Sequence, residues 1–211
     1  VSGGSAIDDR DREKIVGRYA ERYQTFGVDI RTLNPGTEER HRLQHEVHAS
    51  AAALAGQVVL DVGCGLAHYY AFLKEKGLQV SYIGYDIVPQ FIETNRERYP
   101  EAHFELRDIT TDGIVHQIDW VVMCQVFNNR YEHVSNLDVV KNALTIAFKA
   151  AREGLSIDML SSYVNYEEPH LNYFPPEEMF AFAKTLTPYV TLRHDYLPFH
   201  FTLIMYKEPR S

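Results

Sequence analysis

Gly63 and Gly65 stand one residue apart, behind the apolar run Val58-Val59-Leu60 and the carboxylate of Asp61. Alternate glycines let a backbone turn sharply and come within contact distance of a ligand, which a β-carbon would prevent. A short apolar run bounded by glycine reads as a buried strand, because helices seldom stop after one turn. Behind the glycines, Leu66 to Lys76 has helical composition, with Leu66, Tyr69, Tyr70 and Leu73 at helical spacing and Gly77 as a stop. Strand, glycine turn and helix in that order present a helix N-terminus to a ligand. Two ligand classes lose ground at once. The dinucleotide fingerprint G-x-G-x-x-G needs a third glycine where His68 stands, and no Gly-Lys-Ser/Thr follows to make a phosphate-binding P-loop.

The full string Leu60-Asp61-Val62-Gly63-Cys64-Gly65 resembles the first motif of the class I S-adenosylmethionine-dependent methyltransferases, an apolar run, an acid and two alternate glycines. The resemblance implies S-adenosylmethionine as cofactor, with Asp61, Gly63 and Gly65 shaping the turn and meeting the cofactor's amino group. It implies that Asp86 and its neighbour Ile87, at the end of the second strand, meet the ribose, where a carboxylate can accept both hydroxyls. The other reading of Asp86 is a helix N-terminal charge ahead of Pro89. Asp108 and Ile109 match the family's adenine contact, a carboxylate for the exocyclic amine and an apolar neighbour for the ring; a plain N-cap is the alternative for Asp108. Gln125 and Asn128, at the end of the fourth strand, are expected near the methyl donor, or else as turn caps.

That fourth strand ends in Cys124-Gln125-Val126-Phe127-Asn128-Asn129. The Asn/Asp-Pro-Pro-aromatic string common in methyltransferases of amide and nucleobase nitrogens is absent, which weighs against those acceptors. In-line transfer from a sulfonium needs alignment above all, worth up to ~7–11 kcal/mol. A general base adds a further ~10²–10⁴-fold when the acceptor carries a proton. His68, His133, His170 and His200 are the candidate bases, and no catalytic residue is singled out among them.

The elements that must position these residues alternate along the chain. Strands are expected at Val80 to Tyr85, Phe104 to Leu106, Asp119 to Cys124 and Leu155 to Leu160, with helices from Pro89, Ser135 and Pro175 between and after them. The alternation argues a parallel sheet with right-handed crossovers. Tyr189 to His194 and Phe199 to Tyr206 are separated by too few residues for a crossover helix, so they should pair antiparallel. The fold class expected is a Rossmann-like α/β domain, a mostly parallel seven-stranded sheet with helices on both faces and an antiparallel C-terminal strand. An ordinary dinucleotide-binding fold would stay parallel.

Ahead of the core, residues 6–56 read as an N-terminal helical lid on a cofactor-binding core at 57–207. Arg12 to Phe26 forms an amphipathic helix carrying Tyr19, Tyr23 and Phe26. A turn at 31–36 leads to Thr37, read as an N-cap with Glu38 and Glu39 in the first turn. The helix it opens carries Leu43, Val47, Ala51 and Leu54 on one stripe and His41, His45 and His48 on another. The histidine stripe is expected to be solvated or to face the lid, and no metal site is expected, since no H-E-x-x-H or matching cysteine spacing is present. Between the fifth strand and the last helix, Ser161 to Phe174 is a tyrosine-rich loop. Tyr19, Tyr23, Asn128, Tyr163 and His170 are therefore the residues expected near the acceptor, with ordinary packing as the alternative for the tyrosines.

At 211 residues and 45% hydrophobic content, one domain with a sizeable core is expected. A formal charge of −8 would repel a nucleic-acid backbone, so the acceptor is expected to be a small molecule. Cys64 and Cys124 read as reduced thiols. No apolar run approaches the ~20 residues of a membrane span and no signal peptide is visible, so a cytoplasmic protein with no membrane partner is expected. Rival readings are a non-catalytic S-adenosylmethionine-binding protein and, with less support, an NAD-type oxidoreductase. The oligomeric state is not legible.

Overall fold

The computed structural model describes residues 5–33 and 36–210. Three helices, α1 (Asp9–Phe26), α2 (Ile30–Leu33) and α3 (Glu38–Ser50), precede the sheet. The core then runs β1 (Val58–Val62), α4 (His68–Glu75), β2 (Ser81–Asp86), α5 (Pro89–Arg98), β3 (His103–Leu106), α6 (Ile109–Asp112), β4 (Ile118–Met123), α7 (Asn136–Ala150) and β5 (Ala151–Leu160). It closes with α8 (Pro176–Leu186), β6 (Val190–Leu197) and β7 (His200–Tyr206). Part of the turn expected at 31–36 lies outside the described residues.

The seven strands lie in the order β3-β2-β1-β4-β5-β7-β6, parallel except for β7, which runs antiparallel to both β5 and β6. The expected architecture, with its antiparallel finish, is what the chain builds. Strand order reverses between β1 and β4, and the crevice beyond their C-terminal ends is where an open α/β sheet binds ligands.

Period-two alternation splits the core between the two faces of the sheet. Leu60, Val121 and Ile157 turn towards α7 and α8, against Val140, Leu144 and Met179. Val59, Trp120 and Val122 turn the other way, against Leu54 of the α3–β1 connection and Tyr69 and Leu73 of α4. Side chains at the chain's own caps set the helix starts: Asp8 accepts from Arg10 N, Thr37 from Arg40 N and Ser135 from Asp138 N. Pro89 occupies the first turn of α5, where its missing N–H costs nothing.

Several boundaries differ from the sequence expectation: α1 starts at Asp9, β5 already at Ala151, and the short helix α6 is not among the expected elements. Helix α4 starts at His68 because Ala67 is left-handed, at φ 57°, so Leu66 belongs to the turn. The hairpin strand β6 reaches Leu197, with a register irregularity between Arg193 and Leu197. The 161–174 loop stays irregular, pinned by bridges from Ser161 to Phe174 and from Asn129 to Leu171.

One prediction about a face is overturned. The histidine stripe of α3 points inward: His48 is fully buried, and His41 and His45 are 9% and 7% exposed. Val47, Ala51 and Leu54 of the apolar stripe are buried too, while its Leu43 is only half-buried. The reason lies on the sheet surface beneath α3, where β5 and β7 present Ser156, Asp158 and Thr202, all buried. A polar patch of sheet selects the polar face of the helix, and hydrophobic periodicity cannot anticipate that.

Candidate functional site

The glycine turn is held from three sides. Gly63 N and Cys64 N both donate to Tyr85 O, at 2.8 and 3.0 Å. Gly65 N donates to Asp86 Oδ2 at 2.8 Å, and Asn95 Nδ2 of α5 donates to Gly65 O at 2.7 Å. Both glycines are left-handed, with φ of 71° and 52°. A β-carbon on Gly63 would stand 2.3 Å from Val126 Cγ2, and one on Gly65 would stand 2.9 Å from Leu33 Cδ1. The turn therefore runs in a narrow slot between α2 and the segment after β4, and only glycine fits it.

Beyond the turn lies a cavity of about 1060 Å³, at the large end of the ~300–1,000 Å³ usual for small-molecule sites. At one end its walls are Asp61, Gly63, Gly65, Asp86, Ile87, Asp108 and Ile109; at the other they are His41, His45, Cys124, Gln125, His200 and residues of the 161–174 loop. Helix α1 roofs the space with Ile15, Arg18 and Tyr19.

The carboxylates differ in how their oxygens are used. Tyr82 Oη donates to Asp61 Oδ2 at 2.5 Å, while Asp61 Oδ1 is buried with no partner. Burial pushes the Asp61 carboxyl up to about 7. Asp86 accepts from Gly65 N through Oδ2 and from Val88 N through Oδ1, and burial raises it to about 6. It thus stitches the turn to the start of α5 and keeps lone pairs at the cavity wall. Asp108 caps α6, with Oδ1 accepting from Thr110 N and Thr110 Oγ1, while Oδ2 pairs with Arg12 of α1 at 3.0 Å. The N-cap alternative for Asp108 is therefore realised.

A buried polar cluster closes the other end. Asp158 Oδ2 accepts from Gln44 Nε2 at 2.7 Å, and its Oδ1 accepts from Gln125 N at 2.5 Å. Gln125, itself left-handed at φ 57°, donates through Nε2 to Gln44 Oε1. His200 Nδ1 and Nε2 lie 3.2 Å from Gln44 Nε2 and 3.1 Å from an Arg40 nitrogen. Burial lowers His41 to about 4 and His45 to about 3, so both imidazoles on this wall are neutral near pH 7.

Among the residues expected near the acceptor, Tyr19 and His170 are on the cavity wall, and so is Asn128. Asn128 Oδ1 is committed to Leu160 N at 3.0 Å, and its carbonyl accepts from Asn172 N, so it ties the loop to the sheet. Tyr23 and Tyr163 lie off the wall. Tyr23 hydrogen-bonds Thr94 Oγ1 and packs edge-on against Phe91, and Tyr163 is 60% exposed with its hydroxyl on Glu177. Of the four candidate bases, His68, His170 and His200 line the cavity; His133 does not, being bound to Asp11 at 3.2 Å. The sequence reading missed Gln44, Asp158, Asn129 and Arg18. Arg18 bonds Asn129 across the cavity's rim, and only the folded chain brings them together.

Residues 60–153 match the model of a methyltransferase domain. No curated protein matches the sequence. Among solved structures, the magnesium protoporphyrin IX methyltransferase of Synechocystis, bound to S-adenosylhomocysteine, superposes with a TM-score of 0.64 at 11% identity, over 94% of this chain and 100% of that one. A phosphoethanolamine N-methyltransferase of Haemonchus contortus gives 0.64 at 13%, over 97% of this chain and 52% of that one. An S-adenosylmethionine-dependent methyltransferase of Aquifex aeolicus gives 0.61 at 14%, over 89% and 97%. At such identities the likeness is one of fold, and among the described residues no helix is long and apolar enough to cross a membrane. By its strand order, its glycine turn and the domain matched across residues 60–153, the chain has the fold of the class I S-adenosylmethionine-dependent methyltransferases.

Proposed function

We propose that the protein transfers a methyl group from S-adenosylmethionine to a small-molecule acceptor. The carrying observation is Asp61 Oδ1, a buried oxygen without a partner on the wall beside the glycine turn. An orphaned carboxylate oxygen in that position suits the ammonium group of the cofactor's methionine half. Asp86 takes the ribose hydroxyls on its remaining lone pairs, and Ile87 and Ile109 flank the adenine. Asp108, already shared between Thr110 and Arg12, fixes the α6 wall there.

When bound, S-adenosylmethionine supplies an electrophilic methyl group on a sulfonium. The chain's part is to align, enclose and exclude water. Gly63 and Gly65 allow close approach, the 57–207 core carries the cofactor side, and residues 6–56 with the 161–174 loop form the lid over the acceptor side. Tyr19, Asn128 and His170 stand nearest the acceptor in this reading, with Tyr23 and Tyr163 supporting the lid from behind. The size of the cavity favours two ligands side by side, and the small molecules named for the Synechocystis and Haemonchus proteins are acceptors of the kind expected.

Calorimetry tests the first half: S-adenosylhomocysteine should bind and NAD should not. Transfer of labelled methyl from S-adenosylmethionine to members of a metabolite panel tests the second. Binding without transfer to any member would favour a non-catalytic binding protein instead.

A further inference from the structure

Three side chains from distant parts of the sequence meet beneath α3. His48 comes from α3, Cys124 follows β4 and Asp158 lies on β5, and one ligand atom from each falls within 4.8 Å of the other two. His48 Nε2 stands 3.7 Å from Asp158 Oδ1, with both side chains fully buried. Donor atoms sharing one tetrahedral ion at normal bond lengths lie ~3.3–3.6 Å apart, so the cluster needs little adjustment to close on an ion.

The surroundings match those of a metal ligand set. His48 Nε2 is buried and has no hydrogen-bond partner. Its other nitrogen, Nδ1, lies 2.8 Å from Ser156 Oγ, which can accept an Nδ1 proton and leave the lone pair on Nε2. Outer partners of this kind commonly fix the tautomer and ring plane of a ligating histidine. Gln44 Nε2 and Gln125 N likewise brace Asp158. In that tautomer a cation between Nε2 and the Asp158 carboxylate satisfies both; without one, an Nε2 proton takes its place, 3.7 Å from Asp158 Oδ1.

We propose that His48 Nε2, Cys124 Sγ and Asp158 Oδ1 bind a divalent transition-metal ion, zinc by preference. Thiolate, carboxylate and neutral imidazole carry two negative charges, which a dication cancels. Three protein ligands leave a fourth position open, as in catalytic zinc sites. Of the three residues only Cys124 is on the cavity wall, so the ion enters and is reached from the cavity. Binding as a thiolate releases the Cys124 proton to solvent. If the methyl-transfer reading holds, the open position faces the acceptor end beside Gln125; the metal claim itself does not depend on that reading.

The test uses the full chain, stripped with chelator and desalted. Cobalt(II) is titrated in and followed by absorption, and zinc(II) by competition with a chromophoric chelator. One equivalent of cobalt should bind with an intense thiolate-to-cobalt charge-transfer band, and zinc should displace it. Cys124→Ser should abolish the band, and His48→Gln should weaken zinc binding at least tenfold. His103→Ala, in the half-exposed His103, Glu105 and His116 cluster, should change neither. Absence of binding at micromolar metal, binding without the thiolate band, or loss of binding in His103→Ala overturns the proposal. The band of the unmodified protein decides the matter even if a variant misfolds. S-adenosylhomocysteine calorimetry on the same stripped sample separates a failure of the cofactor reading from a failure of the metal site.

Discussion

The two ends of the cavity are built in different ways. At the end proposed for the cofactor, neighbours in sequence make the wall: Asp61, Gly63 and Gly65 share one turn, and Asp86 and Ile87 are consecutive. Backbone hydrogen bonds carry most of the geometry there, from Gly63, Cys64 and Gly65 to the end of β2. At the end proposed for the acceptor the parts come from α1, α3, the segment after β4, the 161–174 loop and β7, and side chains do the joining. A turn fixed by backbone depends on residues having no side chain; a chamber fixed by side chains depends on several being right together. The first kind of site is readable as a string and the second is not.

The contrast is broken most sharply at Gly63. Gly63→Ala places a methyl 2.3 Å from Val126 Cγ2 on a backbone at φ 71°. Overpacking alone costs roughly 1–3 kcal/mol, and the left-handed conformation of a non-glycine residue adds to it. Thermal unfolding should shift down measurably, and calorimetry should detect no S-adenosylhomocysteine binding. A variant that binds normally would mean that the turn is plastic and the cofactor end is not backbone-built. Asp86→Ala comes next. Each hydrogen bond to the charged carboxylate is worth ~1.5–3 kcal/mol, so affinity should drop at least tenfold. Because Asp86 also holds Gly65 N and Val88 N, some stability goes with it. Asp86→Asn keeps an acceptor for one of these N–H groups, and should recover stability better than affinity. Equal recovery of both would reduce Asp86 to a structural clamp.

The sequence made the glycine turn and its strand-end carboxylate legible because these signals are local, namely glycine spacing, a carboxylate at a strand end and proline at a helix start. The mostly parallel sheet and its antiparallel finish followed from alternation and from the short final hairpin. The face of α3 did not follow, since His41, Gln44, His45 and His48 look solvent-bound until Ser156 and Asp158 are placed beneath them. Tyr163 misled for a similar reason: it sits in the right loop, but its ring points to Glu177 and solvent. Asp158 lies in an apolar strand and carried no motif at all.

Titration probes the cofactor end through its two raised carboxyls. Asp61 ionises near 7 and Asp86 near 6 in the unliganded chain, in both cases because burial disfavours charge. Binding an ammonium and a ribose uses the ionised forms, so affinity should fall as pH drops through 7 and then 6. Raised carboxyls have the opposite effect on folding. Their contribution is fully present below the ordinary carboxylate range and is lost as pH rises through about 6 to 7. Affinity and unliganded stability should therefore move in opposite directions across that window, by up to about 1.4 kcal/mol per proton per pH unit. Calorimetry and thermal scans between pH 5 and 8 check this, and Asp61→Asn should flatten the upper part of the affinity profile. Parallel movement of the two quantities would place the titrating groups elsewhere.

At the acceptor end, Asn128→Ala should act at a distance. It leaves Leu160 N without its partner, a loss of about 1–3 kcal/mol for a buried N–H, and loosens the anchorage of the 161–174 loop. Turnover should fall severalfold with cofactor affinity held. A fall in cofactor affinity of equal size would join the two ends that the structure keeps apart.

The smallest effect is expected at Tyr163, and it bounds the chamber. Its hydroxyl bonds Glu177 at the foot of α8, and the side chain is 60% exposed, off the cavity wall. Tyr163→Phe removes one exposed hydrogen bond and no cavity contact, so stability should stay within about 0.5 kcal/mol. Turnover and the acceptor's KM should each stay within twofold. The neighbouring Tyr166 and Tyr173 do line the cavity, so the same loop supplies its own control. Tyr166→Phe keeps the ring on the wall, whereas Tyr166→Ala opens it and should raise KM more than either Phe variant. If Tyr163→Phe instead raises KM severalfold, the loop must swing when the acceptor binds, carrying Tyr163 from Glu177 to the cavity. The acceptor end would then be an induced enclosure, while the glycine turn opposite remains preformed.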